Sequence, residues 1–150
     1  MRFSFRLQSL LNWKRSLEEC SQTRLADKVR ELQRQEQEIR RVAEQRLDNE
    51  KKLHEKTLRG IRVAEYLIHK QFGDACYGDL LEKGEKRNQT LKAIEGEREI
   101  LVGLMKEKKM LNRLKEKRFR RYLYQTEKQD QKHLDEMALR SRRAFAREDA

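Results

Sequence analysis

Proline is absent from all 150 residues, and aromatic side chains make up only 7% of them. Without proline, nothing in the chain breaks a long helix from within. With so few aromatics against 42% charged residues, a globular core is out of reach. No apolar run approaches the length needed to span a bilayer. Arg2, Arg6 and Lys14 break up the N-terminal apolar residues before a secretory h-region can form, so a cytosolic protein is expected. There are only two cysteines, Cys20 and Cys76, roughly 80 Å apart along a continuous helix. They read as ordinary thiols and not as a disulfide. His54, His69 and His133 show no metal-ligand spacing and read as solvated side chains. His54-Glu55 begins a zinc-protease pattern, but Leu58 stands where the second histidine belongs. Neither GxGxxG nor GxxxxGK occurs, so no phosphate loop is expected. Nothing brings a nucleophile and a base to one concave pocket. The expectation is a protein with no enzymatic activity, no cofactor, no metal and no small-molecule substrate.

What the chain does have is a helical rhythm. Phe3, Phe5, Leu7, Leu10, Leu11 and Leu17 open a first arm, with Ser4 as a candidate N-cap. From Leu25 the apolar residues Val29, Leu32, Ile39, Ala43, Leu53, Ile61, Ala64 and Ile68 recur at a mean spacing near 3.5. Glu36, Arg46 and Glu50 fall at seam positions in the same frame, which makes the seam weaker than an all-leucine one. A second arm carries Leu91, Ile94, Leu101, Leu104, Met105, Leu111, Leu114, Phe119, Tyr122, Leu134, Met137 and Phe145. Between the arms, Gly60 to Gly84 holds four of the six glycines. The fold class expected is all-α: an antiparallel two-helix coiled coil, a rod-like helical hairpin forming one domain over residues 1–150. Its bend lies between Gly60 and Gly78.

Two bend positions compete within that window. Gly73-Asp74 and Gly78-Asp79 look like helix stop and start signals, strengthened by Glu82 three residues after Asp79. A bend there sets Leu17 against Leu134, Val29 against Tyr122 and Leu47 against Leu104, and brings both chain ends to one tip. A bend near Gly60 gives an equally good seam with a free C-terminal overhang. The formal net charge is +11, and its placement is uneven. From Lys106 to Arg147, fifteen Lys or Arg stand against six Asp or Glu, hence +9. Such a stripe suits an acidic protein surface, nucleic acid or an anionic bilayer. Glu116, Glu127 and Asp130 interrupt it, which makes nucleic acid the less favoured partner.

Both ends of the chain resemble a known family, the FliJ proteins of the bacterial flagellar type III export apparatus. The N-terminal likeness is FSFRLQSLLNWKRSLEE, from Phe3 to Glu19. The C-terminal likeness runs from EKKMLNRLKEKR, ending at Arg118, through Tyr122 to QKHLDEMA, where Leu134-Asp135-Glu136 is sharpest. GIRVAEYLIHKQF, Gly60 to Phe72, is a weaker central likeness. The resemblance implies a stalk-like coiled coil that enters a hexameric export ATPase (FliI-like), promotes its assembly and activity, and links it to the export gate membrane protein (FlhA-like). It further implies that the protein escorts export chaperones and sits in the cytoplasm, peripherally associated with the inner-membrane face of the apparatus. Phe3, Phe5, Leu7, Leu10 and Leu11, with Arg118, Arg121, Tyr122, Leu134 and Asp135, are then the ATPase-binding tip. Phe72 is the export-gate residue; Cys76 and Asp79 depart from the apolar pattern of the family around it. The resemblance also places the bend near Gly60, against the capping argument. Alternatives of another kind are a basic coiled coil associated with nucleic acid or ribosomes, and a generic scaffold coil.

Overall fold

The computed structural model describes the backbone of residues 3–148 and the side chains of residues 3–140. It holds two helices, α1 over Gln8–Arg59 and α2 over Val63–Glu148, and no strand among the described residues. The all-α helical hairpin is therefore the observed fold. Phe145 of the expected apolar stripe lies outside the described side chains.

The helix ends follow backbone chemistry more than side-chain caps. Ser4 lies before the helix: the Gln8 N–H donates to the Phe5 carbonyl (2.9 Å) and the Leu11 N–H to Leu7 (3.0 Å), so Leu7 stands at the N-cap. At the other end Gly60 has φ = 90°, a left-handed conformation that a side chain resists and glycine accepts. Lys56 and Arg59 occupy the last turn of α1, and Glu65 the first turn of α2, each with the sign that the helix dipole favours. Lys56 Nζ reaches Glu65 across the bend at 2.5 Å. The turn is thus Gly60-Ile61-Arg62. The helix passes straight through Gly73 and Gly78, where the capping argument expected it to stop, and neither glycine has positive φ. The pairings Leu17 with Leu134, Val29 with Tyr122 and Leu47 with Leu104 do not form.

The chain packs as two compact units, Met1–Leu17 with Leu104–Ala150, and Glu18–Gly103. In each, a stretch of α1 lies antiparallel to a stretch of α2. Within Glu18–Gly103, the least exposed positions of α1 step by three and four from Glu18 to Leu53, and those of α2 from His69 to Leu101. That is the heptad seam of a coiled coil. Its register is fixed where Ser21 Oγ donates to Glu97 (2.8 Å) and Asn49 Nδ2 donates to the His69 carbonyl (2.9 Å). The seam is as polar as it is apolar. Val42, Cys76 and Ile94 are buried, and so are Glu18, Ser21, Asn49 and Glu97. Of the charged seam positions expected in α1, Glu36 and Arg46 are half-buried, whereas Glu50 is exposed and Asn49 is buried in its place. Cys20 and Cys76 are both free thiols.

Candidate functional site

In the unit formed by Met1–Leu17 and Leu104–Ala150, the chain before α1 folds onto α2 through aromatic rings. Phe3 meets Phe119 edge to face at 5.1 Å between centroids and Tyr122 at 5.6 Å. Such pairs contribute about 0.5–1.5 kcal/mol beyond their buried area. The Arg118 guanidinium lies 5.8 Å from the centre of the Phe5 ring, within cation–π range. Phe5 is buried, and Leu11 is the largest side chain that is fully buried. Polar contacts continue the same register: Lys115 Nζ donates to Gln8 Oε1 at 2.9 Å, and Lys14 pairs with Glu107. Phe3, Asn112, Lys115, Glu116 and Phe119 line an open groove of about 420 Å³ beside this cluster.

The ten residues expected at the ATPase-binding tip therefore separate into groups. Phe3, Phe5, Arg118 and Tyr122 come together, with Leu11 sealing the helix pair behind them and Leu7 half-buried. Leu10 and Arg121 are both exposed. Leu134 and Asp135 do not join the cluster, because Leu134 lies twelve residues past Tyr122, roughly 18 Å further along the helix. From Glu127 to Arg140 every described side chain of α2 is exposed. The stretch extends beyond the level at which the start of the chain packs on Phe119 and Tyr122. Leu134, Met137 and Leu139 are all more than half exposed there.

Two aromatic residues of this unit, Phe119 and Trp13, were not among the ten expected at the tip. Phe119 is the closer ring partner of Phe3, a role that follows only once the register is known. Trp13, the single tryptophan, is 55% exposed with the Lys14 ammonium 4.9 Å from its ring centre. Its rarity in a chain so poor in aromatics was the available signal, since exposed tryptophans favour interfaces.

Phe72 lies in the Glu18–Gly103 unit, 45% exposed. With Ile68, His69, Asn49, Asp48, Lys52 and Gln45 it lines an open groove of about 380 Å³. His69 is not the solvated residue expected, since its Nδ1 lies 2.6 Å from Asn49 Oδ1 and its Nε2 lies 3.3 Å from Lys56 Nζ. The Asn49 Oδ1 can only accept, so Nδ1 is the donor there, and Nε2 faces the Lys56 ammonium. Deeper in the seam, the Ser21 hydroxyl and the Arg24 guanidinium both donate to Glu97. These two bonds hold its carboxyl below the ordinary glutamate value, against the opposing effect of burial. The network orders the seam.

Among the described residues no group of His, Cys, Asp or Glu has the spacing of a metal site, and no helix is long and apolar enough to cross a membrane. The arrangement presents an aromatic and basic cluster, an exposed stretch of α2 and a phenylalanine-edged groove. The family model described as the flagellar FliJ protein matches residues 3–147. No curated protein and no solved structure matches the chain. A match over nearly the full length, on a chain that folds as the two-helix hairpin its sequence implies, places this protein in the flagellar FliJ family as a coiled-coil protein of flagellar export.

Proposed function

We propose that the protein is the stalk of the export machinery: it binds a hexameric export ATPase through the Met1–Leu17 and Leu104–Ala150 unit, promotes its assembly and turnover, and couples it to the export gate through Phe72. In this reading it works at the cytoplasmic side of the inner membrane and escorts export chaperones. The observation that carries the proposal is the stretch of α2 after Thr126. It stays helical to Glu148, and from Glu127 to Arg140 every side chain is exposed. Helices in proteins draw most of their stability from packing of an apolar face, and this stretch leaves Leu134, Met137 and Leu139 exposed. A surrounding protein surface covers them. Family membership supports the nature of that surface, and the basic excess of the same arm suits acidic groups on successive ATPase subunits. Exposed ion pairs of about 0–1 kcal/mol each break easily as such a ring cycles.

The test is ATP turnover by the purified export ATPase as this protein is added. Turnover rises with the natural chain, and Arg121→Glu or Leu134→Ser abolishes the rise while helicity by circular dichroism is kept. Arg121 is a cleaner probe than Arg118, which also packs over Phe5. No rise with the natural chain refutes the stalk role. For the gate contact, Phe72→Ala weakens capture of the gate's cytoplasmic domain at unchanged helicity; a loss of helix instead shows Phe72 to be a packing residue.

A further inference from the structure

The bend exposes apolar side chains on both helices. Leu58 is 76% exposed, Val63 75%, Ile68 66% and Leu67 51%. They do not form one stripe. Val63 and Leu67 share a side of α2, Ile68 stands about 140° round the helix from Val63, and Leu58 projects from α1. A groove on a folded partner takes a single stripe at i, i+3, i+4 and i+7. A set wrapped around the end of a hairpin suits a fluid boundary, into which all its tips enter at once.

Cations surround them. Between Lys51 and Lys70, six Lys or Arg stand against Glu55 and Glu65 alone. Lys52 is held by Asp48, Lys56 by Glu65 and Lys70 by Asp74. Lys51, Arg59 and Arg62 have no carboxylate within ion-pair distance among the described residues. Arg59 and Arg62 flank Gly60 and Ile61 at the turn itself.

We propose that the bend from Leu58 to Ile68 docks on an anionic phospholipid surface, with Arg59 and Arg62 at the phosphates and Leu58, Val63, Leu67 and Ile68 entering the acyl boundary. The contact is peripheral and reversible, since no helix crosses the bilayer. It does not rest on the ATPase or gate readings, and protein-free vesicles test it without them.

The full-length chain is sedimented with vesicles of phosphatidylcholine, with and without phosphatidylglycerol, at about 0.1 M salt. It binds the anionic vesicles and not the neutral ones. Arg59→Ala with Arg62→Ala weakens partitioning by about 25-fold, at about fivefold for each charge near the surface. Leu58→Ser with Val63→Ser also weakens it, and circular dichroism shows both double variants helical. A reporter tryptophan, Val63→Trp in a Trp13→Phe background, is quenched by brominated acyl chains. Lys128→Ala with Lys132→Ala, in the C-terminal basic arm, leaves partitioning unchanged. The proposal is overturned if anionic vesicles are not bound, or if the Lys128 and Lys132 changes remove binding while both bend variants retain it. It is overturned equally if Leu58→Ser with Val63→Ser binds normally and the reporter is not quenched, which reduces the bend to a charged surface for an acidic protein.

Discussion

The two helices are built to different standards. α1 has no glycine in 52 residues, and beyond its first turns it keeps its apolar residues mostly to the seam. α2 has Gly73, Gly78, Gly84, Gly96 and Gly103 in its interior. It also exposes apolar side chains along its length, among them Tyr77, Leu81, Ile100, Met110 and Leu139. Each interior glycine costs a helix roughly 1 kcal/mol relative to alanine, yet Gly78, Gly84, Gly96 and Gly103 have nothing within 4 Å of where a Cβ would stand. Close packing does not explain them. The contrast teaches that the two helices divide the work: α1 keeps most of its apolar side chains in the seam, whereas α2 tolerates glycine and exposes apolar side chains on several faces.

Leu11→Ala is the hardest blow to this picture. Leu11 is 2% exposed, so the truncation costs about 2–4 kcal/mol in urea or thermal unfolding. The same change at Leu139 of α2, 57% exposed, stays within about 0.5 kcal/mol. Equal losses at both positions break the comparison. Next are the glycines. Gly60→Ala destabilises by about 1–2 kcal/mol because φ is positive there, whereas Gly84→Ala and Gly96→Ala each stabilise by about 0.5–1 kcal/mol. A destabilising Gly96→Ala shows that this glycine is needed for packing after all.

The acid response of the seam is smaller. Because Ser21 and Arg24 hold the Glu97 carboxyl below its ordinary value of 4.5, its contribution is fully present above that value. It is lost as pH falls from there through the lower folded-state value. Glu97→Gln flattens this part of the stability curve below pH 4.5 in acid titrations followed by circular dichroism; an unchanged curve rules the network out as its source. Smallest of all is the exposed pair of Lys86 with Glu82, where Lys86→Ala shifts unfolding by no more than about 0.5 kcal/mol.

The hairpin was legible in the sequence because a seam imposes a period, and Leu25, Leu32, Ile39 and Leu53 all take seam positions. The register was not legible, for the same reason. Sliding one heptad helix past another by seven residues again matches like with like, so the pattern alone equally allows Leu17 to face Leu134. What fixes the register is polar: Ser21 with Glu97, Asn49 with His69. Hydrophobic pattern carries no trace of such pairs. The turn was misleading in another way. Gly73-Asp74 and Gly78-Asp79 have the composition of a stop and a start, but glycine ends a helix only where the backbone goes left-handed, and only Gly60 does so. At the aromatic cluster, Phe3, Phe5, Arg118 and Tyr122 were found through family likeness, and Phe119 had to wait for the fold.

The central claim is that the start of the chain is sealed against Phe119 and Tyr122, with the side chains of α2 from Glu127 to Arg140 exposed beyond it. Spin labels at Leu17 and Leu134, with Cys20 and Cys76 replaced by serine and the sample diluted in unlabelled protein, test it by dipolar distance measurement. The account predicts a separation of roughly 45 Å, at 1.5 Å per residue along α2. A separation near 10 Å, the spacing of facing helices, would contradict it and move the bend to Gly73–Gly78.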